Sequence, residues 1–220
     1  MIKNIKIVSI EGNIGSGKTT LIQRLKKENT SFIFLPEPVD LWNEIKDSSG
    51  VSIIEKYYAN KQKYSFSFQM MAYITRLSQL KKCIETAPEN SIIITERCLN
   101  TDRYVFAKML YDTKFIEDIE YSIYTRWFDE FKEFTNISAL IYIQTTPEVC
   151  LERTHIRNRK GEELIPLSYL SSCHNYHENW IIDNNNVPLL ILNGNNVIET
   201  STLITFINNL NSKNSNNNIR

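Results

Sequence analysis

A phosphate-binding pattern lies near the start of the chain. Residues 12–19 read GNIGSGKT, which matches the spacing G-x-x-x-x-G-K-[ST], and they hold three of the six glycines in the sequence. Glycine permits a sharp loop in which several backbone N–H groups face one phosphate, because no Cβ blocks the approach. Lys18 of such a loop reaches the terminal phosphates, and the Thr19 hydroxyl is a ligand of Mg²⁺. We therefore expect a nucleoside triphosphate to be bound by Gly12, Asn13, Ile14, Gly15, Ser16, Gly17, Lys18, Thr19 and Thr20.

A carboxylate follows a short apolar segment farther along the chain. In the stretch FIFLPEPVDLW, Glu37 comes directly after residues 32–36, and Trp42 stands five positions later. The carboxyl ends of parallel strands line the ligand crevice of their sheet, so Glu37 would lie beside the phosphate loop. A carboxylate there can accept the proton of a hydroxyl that attacks a γ-phosphate, and Trp42 can cover an organic substrate. A surface turn is the alternative that this spacing allows.

An acidic and a basic residue end another apolar segment. In SIIITERCLNTDRYVF, Glu96 and Arg97 close the segment, Asp102 lies farther on, and Phe106 stands one helical turn beyond it. A carboxylate at this place can hold Mg²⁺ through water, and an arginine can hold a phosphate or the attacking oxygen. The pair would share the crevice that we expect for Glu37.

Three arginines gather near a glycine in RTHIRNRKGEE, residues 153–163. Arg153 and Arg157 are four residues apart, which puts them on one helix face, and Arg159 follows. Arginines near a helix end and a glycine favour a lid, over about 153–165, that closes on phosphates and stabilises the group in transfer. A solvated basic face fits the same spacing.

These side chains need a scaffold that brings several strand ends together. Apolar, partly β-branched segments occur at 5–10, 32–36, 91–96, 139–144 and 188–193, and helix-like stretches separate them. This alternation predicts an α/β fold in which a five-stranded parallel sheet is flanked by helices. The phosphate loop then follows the first strand and opens a helix at 17–28, the context in which its pattern is meaningful.

The longest helical stretch runs from about Lys61 to Ala87. On a helical wheel it carries an apolar stripe of Met70, Tyr73, Ile74, Leu77, Leu80 and Ile84. Gln69, Ala72 and Arg76 fall beside that stripe, within about 60° of each other. Spacing alone allows these three residues to form a solvated edge or one wall of a pocket.

Composition bounds the class of protein. The 220 residues have a formal net charge of +0, 42% hydrophobic and 23% charged residues, so we expect no general role on nucleic acid or on a membrane surface. The four cysteines form no CxxC pair, and no apolar run reaches 18 residues. We expect a cytoplasmic protein with one domain over 1–210 and a disordered, Asn-rich tail at 211–220.

Taken together, the motifs resemble the deoxynucleoside kinases of the group that contains deoxycytidine, deoxyguanosine and mitochondrial thymidine kinases and the broad-specificity insect enzyme. The resemblance covers about residues 5–182 and comprises IEGNIGSGKTT, EPVDLW, FQ at 68–69, ER at 96–97, RxxxRxR at 153–159, and PLSYL with HENW between 166 and 180. It implies a P-loop kinase fold with an arginine-rich lid, and a homodimer. It also implies phosphate transfer from ATP, with Mg²⁺, to the 5′-hydroxyl of a deoxynucleoside.

The resemblance further implies roles for single residues. Glu37 would be the general base on the 5′-hydroxyl with Arg97 beside it, and Glu96 would join Lys18 and Thr19 in organising ATP and Mg²⁺. Tyr58 and Glu162 would bind the 3′-hydroxyl, and the lid would consist of Arg153, Arg157 and Arg159. The base would lie against Trp42, Ile54, Gln69, Ala72, Arg76, Asp102 and Phe106.

Arg76 and Asp102 bear on the choice of base. A charged pair beside the base edge would crowd the methyl group of thymine and offer donors and acceptors to other bases, which favours deoxycytidine or a purine deoxynucleoside. Thymidine or a broad range of bases remains the alternative.

The chain departs from the family pattern at two places. Cys98 stands where a serine is usual, and Gly161 stands where the lid usually has the first of two acids. The distance to Pro166 favours Glu162 as the ligand of the 3′-hydroxyl, and Glu163 is the alternative.

Three other functions compete with this interpretation. A nucleoside-monophosphate kinase such as thymidylate kinase shares the loop and the lid, but it needs an extra cation for its acceptor phosphate. A non-catalytic nucleotide-binding subunit would not need Glu37, Lys18 and the lid arginines together. A zinc site at Cys173, His174 and His177 lacks a fourth ligand.

Overall fold

The strands form one parallel sheet. The computed structural model describes residues 3–183 and 186–212. Within them the sheet has the order β2-β3-β1-β4-β5, and every neighbouring pair is parallel. The strands are β1 (Lys6–Glu11), β2 (Ile33–Leu35), β3 (Ile92–Glu96), β4 (Ala139–Gln144) and β5 (Leu189–Asn193). This arrangement confirms the predicted fold class. Each observed strand begins and ends within two residues of the predicted boundary.

The strand register brings the site-bearing ends together. Ile10 of β1 is paired with Glu96 of β3 on one side and with Ile141 of β4 on the other. The loop after β1 and the residues after β3 therefore leave the sheet at the same edge. Parallel strands whose helical crossovers lie on both faces produce such an edge, and ligands bind there.

Helices connect the strands. In the described chain they are α1 (Lys18–Glu28), α2 (Val39–Glu44), α3 (Ile53–Ala59), α4 (Lys61–Thr86), α5 (Leu99–Thr101), α6 (Lys108–Asp112), α7 (Asp118–Glu130), α8 (Pro147–Arg157), α9 (Leu167–Asp183) and α10 (Thr200–Ser212). A π-helical segment, Asp102–Ala107, joins α5 to α6, and 3₁₀ turns occupy Lys132–Thr135 and Glu162–Leu164. None of the helices described is long and apolar enough to span a bilayer.

The core lies on both faces of the sheet. On one face Ile94 and Ile141 pack with Leu25 of α1 and Ile207 of α10. The other face is covered by α4 and α7 together with further helices, and the buried side chains there include Ile7, Tyr73, Leu77, Tyr124 and Phe128. Two hydrophobic layers hold the central strands rigid, so their carboxyl ends form a fixed platform.

Helix α4 agrees with the helical-wheel prediction at some positions and differs from it at others. Tyr73, Leu77 and Leu80 are buried as predicted, but Ile74 is 41% exposed. The neighbouring side with Gln69, Ala72 and Arg76 is buried instead, so it is not a solvated edge.

The carboxyl-terminal helix α10 extends to Ser212. The tail predicted for 211–220 therefore begins within this helix, and positions 213–220 lie outside the described residues.

Candidate active site

A cavity of about 680 Å³ lies at the carboxyl ends of the strands. Its lining includes residues within a few positions of the ends of four strands, namely the phosphate loop after β1, Glu37 after β2, Arg97 after β3 and Gly194 after β5. Side chains of α3, α4 and the π-helical segment close one end, and the arginines around α8 close the other. The cavity therefore has two halves that meet at the phosphate loop.

The phosphate loop has the geometry that its glycines predict. Gly15 has φ +78°, and a Cβ at this position would lie 2.4 Å from the carbonyl oxygen of Cys150. Glycine is needed there for both conformation and space. The loop passes into α1 at Gly17, so the first N–H groups of that helix face the cavity as an anion site.

Lys18 is buried within the loop. Its Nζ donates to the carbonyl oxygens of Gly12 and Asn13 at 3.0 and 2.7 Å. Burial and the charge of Arg97 lower the pKa of Lys18 to about 7, although Glu96 and Glu37 act in the opposite direction. The amine is thus poised near neutral pH, and a bound polyanion would favour its charged form.

Glu37 stands between the two halves of the cavity, held by two arginines. Its Oε1 accepts hydrogen bonds from Arg97 Nη1 at 2.7 Å and from Arg76 Nη2 at 3.0 Å. Within the described residues no hydrogen bond reaches Oε2. One oxygen therefore fixes the carboxylate, and the other is available to a hydroxyl.

Electrostatics keeps this carboxylate ionised. Burial raises the pKa of Glu37, but Arg97, Arg76 and Lys18 outweigh burial and lower it to about 2. At neutral pH the group is a fixed negative charge that can orient a hydroxyl through a hydrogen bond.

Arg97 adopts an uncommon backbone conformation. Its φ is +63°, and its N–H donates to the carbonyl oxygen of Ile10 at 3.0 Å. The left-handed region is costly for a residue with a Cβ, and such residues cluster at functional sites. The turn aims the guanidinium at Glu37 while the same group lies over the ring of Phe106, 5.0 Å from its centroid.

Arg76 links α4 to the π-helical segment and to β3. Its Nε donates to Asp102 Oδ2 at 2.9 Å and its Nη1 to the carbonyl oxygen of Glu96 at 2.8 Å. Burial disfavours the charge, but Asp102 and Glu37 together raise the pKa of Arg76. Asp102 begins the π-helical segment that also carries Phe106, and such segments are frequent at functional sites.

Aromatic rings form the wall around this polar network. Trp42 packs edge-on against Phe68 at 5.5 Å between centroids, and its Nε1 donates to Thr75 Oγ1 at 2.9 Å. Phe68 in turn stacks on Tyr57 at 4.5 Å. A flat ligand with polar edges matches a cavity that combines such rings with a few convergent polar groups.

Two oxygen ligands for a cation meet beside the loop. Thr19 Oγ1 donates to Glu96 Oε1 at 2.7 Å, and both residues line the cavity. A hydroxyl and a carboxylate are the hard donors that Mg²⁺ prefers. No group of three or more His, Cys, Asp or Glu suited to a metal occurs in the part of the chain that is described. An ion held here would take its other ligands from phosphates and water.

The lid arginines lie over the far half of the cavity. Arg153 Nη1 donates to the carbonyl oxygens of Ser16 and Gly194 at 3.3 and 2.8 Å, which ties α8 to the phosphate loop. Arg157 and Arg159 both pair with Glu162. Glu163 is exposed and borders a separate surface groove, so of the two acids only Glu162 lines the cavity.

Nearly every residue that the sequence singled out lines this one cavity. The exceptions are Gly12 and Asn13, whose carbonyl oxygens bind Lys18 while the Asn13 side chain donates to the carbonyl oxygen of Leu170. The predicted residues that do line it are Ile14, Gly15, Ser16, Gly17, Lys18, Thr19, Thr20, Glu37, Trp42, Ile54, Tyr58, Gln69, Ala72, Arg76, Glu96, Arg97, Asp102, Phe106, Arg153, Arg157, Arg159 and Glu162.

Sequence reasoning missed part of the lining. Val39, Tyr57, Phe68 and Tyr169 belong to the aromatic half, and residues 194–198 belong to the far half. The rule that strand ends line the crevice gives a signal for 194–198, which follow β5. Phe68 and Tyr169 belong to the motifs FQ and PLSYL of the family resemblance, which could have indicated them, whereas Tyr57 carries no such signal.

The fold and this site define a P-loop phosphotransferase: a parallel sheet, a phosphate loop after its first strand, a buried lysine and a set of arginines over the loop. The model of the deoxynucleoside kinase family matches residues 8–212. The chain belongs to the deoxynucleoside kinase family, as the motifs predict.

Curated relatives agree with the family. Deoxycytidine kinase of Mus musculus is 33% identical over 198 residues, which cover 81% of this chain and 76% of that protein. The probable deoxycytidine kinase of fowlpox virus is 33% identical over 201 residues, with 88% and 81% covered. Mitochondrial deoxyguanosine kinase of Xenopus laevis is 29% identical over 215 residues, with 86% and 81% covered.

Membership fixes the class of reaction. The chain is a phosphotransferase that phosphorylates an alcohol group of deoxynucleosides, and its phosphate donor is of the ATP type.

Proposed function

We propose that the protein phosphorylates the 5′-hydroxyl of 2′-deoxycytidine or a purine deoxynucleoside, with ATP as donor and Mg²⁺ as cofactor. The observation that carries this proposal is the ionised Glu37, which is held by Arg97 and Arg76 where the aromatic half of the cavity meets the phosphate loop. A monophosphate acceptor would meet a carboxylate there, so a hydroxyl acceptor is favoured.

Glu37 orients the hydroxyl and takes its proton. A carboxylate with a pKa of about 2 is a weak base, and its main contribution is to align the attacking oxygen. In a loose phosphoryl-transfer transition state the hydroxyl loses its proton late, when its bond to phosphorus makes it strongly acidic. Arg97 stays beside the attacking oxygen and offsets the charge of Glu37.

The phosphates are held by the loop, by Lys18 and by the lid arginines. Backbone N–H groups at the start of α1 bind them, and Arg153 keeps α8 close to the loop. Thr19 and Glu96 would hold Mg²⁺, which supplies charge neutralisation to the phosphate group in transfer. Both residues fit this role because their oxygens already converge at 2.7 Å.

Gln69, Arg76 and Asp102 support selection of the base. The amide of Gln69 offers a donor and an acceptor to a base edge. A thymine methyl group next to the buried, charged Arg76–Asp102 pair would make no favourable contact with it. Phe106 and Trp42 supply flat surfaces for the ring. These features favour deoxycytidine and purine deoxynucleosides over thymidine.

We also propose that two copies associate through α7. Ile119, Ile123 and Trp127 are exposed and follow one another at intervals of four residues, so they share one face of this helix. Ile74 of the neighbouring α4 is exposed as well. An apolar face of this kind on an otherwise polar surface marks an interaction site. Light scattering tests the homodimer, and a monomer at micromolar concentration contradicts it.

We propose the cytoplasm as the compartment. The four cysteines, Cys83, Cys98, Cys150 and Cys173, are all free, which suits a reducing environment. Fractionation of the source cells with an antibody against this protein tests the assignment.

A panel of acceptors tests the main proposal. The four deoxynucleosides and the four deoxynucleoside monophosphates are each incubated with ATP and Mg²⁺, and a parallel set omits Mg²⁺. We expect turnover of deoxycytidine and the purine deoxynucleosides, weak turnover of thymidine and none of the monophosphates. Preferred turnover of thymidine contradicts the base assignment, and preferred turnover of a monophosphate contradicts the role of Glu37.

A further inference from the structure

One carboxylate in the lid holds two arginines at once. Glu162 Oε2 accepts from Arg157 Nε at 3.1 Å and from its Nη2 at 2.5 Å, and Oε1 accepts from Arg159 Nη1 at 3.0 Å. The Glu162 side chain is 4% exposed, whereas the side chains of Arg157 and Arg159 are 35% and 32% exposed. The acid is therefore fixed, and the arginines are the partners that have room to move.

The turn that carries Glu162 is anchored to α3, the helix of Tyr58. Gly161 has φ +90°, and a Cβ there would lie 3.2 Å from Glu55 Cα. Lys160 and Glu55 form an ion pair at 2.8 Å across the same contact. Glycine at 161 thus lets the lid pack directly on α3, and this contact sets the position of Glu162 relative to the aromatic half of the cavity.

We propose that Glu162 couples the two halves of the cavity, so that a bound deoxynucleoside raises the affinity for the triphosphate. This inference rests on the proposed function, in which the 3′-hydroxyl binds Glu162 and the phosphates bind Arg157 and Arg159. The three groups form one ion-paired unit, and any ligand that changes one end of it acts on the other.

The direction of the coupling follows from the carboxylate. Without a nucleoside, Glu162 neutralises both arginines and keeps them away from phosphates. A 3′-hydroxyl that donates to Glu162 takes up part of its acceptor capacity and weakens its hold on at least one guanidinium. That guanidinium is then available to the donor. Because binding free energies are linked, the triphosphate raises the affinity for the nucleoside by the same factor.

Calorimetry on the wild-type protein gives the first test. A non-hydrolysable ATP analogue with Mg²⁺ is titrated into the protein alone, into protein saturated with 2′-deoxycytidine, and into protein saturated with 2′,3′-dideoxycytidine, which lacks the 3′-hydroxyl. We expect 2′-deoxycytidine to tighten binding about 5- to 20-fold, the low end of known couplings because the arginines are partly exposed. The dideoxynucleoside should leave the affinity within about twofold of the free protein.

A pair of variants gives the second test. Glu162→Gln removes the charge that holds the arginines, so we expect the analogue to bind more tightly than to wild type in the absence of nucleoside, with no further gain on adding 2′-deoxycytidine. Glu163→Gln is the matched control on the same turn, and it should keep the wild-type coupling. Circular dichroism verifies that both variants are folded.

The outcomes separate the two proposals. If neither 2′-deoxycytidine nor a purine deoxynucleoside binds or is phosphorylated, the proposed base preference fails and the coupling fails with it. If only a purine deoxynucleoside binds, that nucleoside and its 2′,3′-dideoxy form replace the cytidine pair in the titration. If the deoxynucleoside binds and is phosphorylated, but both nucleosides enhance analogue binding equally, the coupling through Glu162 alone is wrong. The proposal is also overturned if 2′-deoxycytidine still tightens analogue binding to Glu162→Gln. The same holds if this variant, without nucleoside, binds the analogue more weakly than wild type does. Should Glu162→Gln fail to fold, the comparison of the two nucleosides on wild type still decides.

Discussion

The cavity contains two pairs of arginines in opposite physical states. Arg76 and Arg97 are buried and bound to several partners, which include Glu37, Asp102 and main-chain carbonyls. Arg157 and Arg159 have about a third of their side chains exposed and share one carboxylate, Glu162. The first pair lies in the half of the cavity where we propose that the acceptor binds, and the second pair lies over the half where we propose that the donor binds.

The difference shows how one cavity combines fixed and adjustable charge. Buried, multiply bonded guanidinium groups do not reorient, so they would present a preorganised field to a hydroxyl bound beside Glu37. Partly exposed guanidinium groups on a lid can exchange a carboxylate for a phosphate at a lower cost than buried ones, because water screens both states. In the proposed function, recognition of the acceptor therefore depends on buried residues of the core, and closure over the donor depends on partly exposed residues at the surface.

Stability should distinguish the two pairs most strongly. Arg76→Met leaves Asp102 as a buried carboxylate without its cation, which costs about 3–5 kcal/mol of unfolding free energy. Arg159→Met removes a partner of Glu162 that is one third exposed, so its cost should stay below about 1 kcal/mol. Urea unfolding followed by circular dichroism measures both values. Equal losses would contradict the contrast between the two pairs.

Catalysis should be strongly reduced when Glu37 loses its charge. Glu37→Gln keeps the shape of the side chain but removes the proton acceptor, and we expect kcat to fall by roughly 10²-fold or more. Binding of a non-hydrolysable ATP analogue should change little, since the donor end is intact. Glu44→Gln, at an exposed acid in the helix α2 that follows Glu37, is the control and should retain wild-type turnover.

A rate for Glu37→Gln close to wild type would contradict the assignment of this residue. A variant that lost analogue binding in parallel with kcat would indicate a general disturbance of the cavity instead.

The preference for a base should depend on Arg76 and its neighbours in the buried half of the cavity, and not on the lid arginines. Arg76→Met combined with Ala72→Val removes the charge and extends the apolar wall, and we expect the ratio of kcat/KM for thymidine to that for deoxycytidine to rise roughly tenfold. Arg159→Met lies at the donor end and should leave this ratio unchanged. Assays at a temperature where the double variant is folded avoid confusion with its lower stability. An unchanged ratio in the double variant would contradict the pocket assignment.

The sequence predicts those parts of the site that depend on local pattern. The phosphate loop carries its own motif, and the positions of Glu37, Glu96 and Arg97 follow from the rule that parallel strands end at one edge. Strand positions were also predictable, because buried parallel strands are short apolar runs. For these residues, chain order and sheet geometry are sufficient.

Other parts depend on contacts between distant segments. Ile74 belongs to the apolar stripe of α4, yet α7 and the sheet cover only one side of that helix, and Ile74 stays exposed. Phe68 and Tyr57 form a wall only because α3 folds back on α4, which no local spacing reports. The choice of Glu162 over Glu163 is decided by the left-handed turn at Gly161, a backbone feature that the glycine permits but does not specify.

Lys18 is a further buried cation, and unlike the buried arginines it should respond to pH. It is as buried as Arg76, but an amine can lose its proton where a guanidinium cannot, and burial together with Arg97 lowers its pKa to about 7. Phosphates bind the protonated form, so affinity for an ATP analogue should be constant well below pH 7 and fall above it. We take one titrating proton, that of Lys18, and a complex in which the phosphates raise the pKa of Lys18 well above 8. Binding at pH 8 should then be about fivefold weaker than at pH 7. Calorimetry between pH 6 and 9 measures this slope, and Lys18→Arg should abolish it because arginine does not titrate in that range. A flat profile in the wild type would show that Lys18 keeps its proton, as Arg76 and Arg97 do.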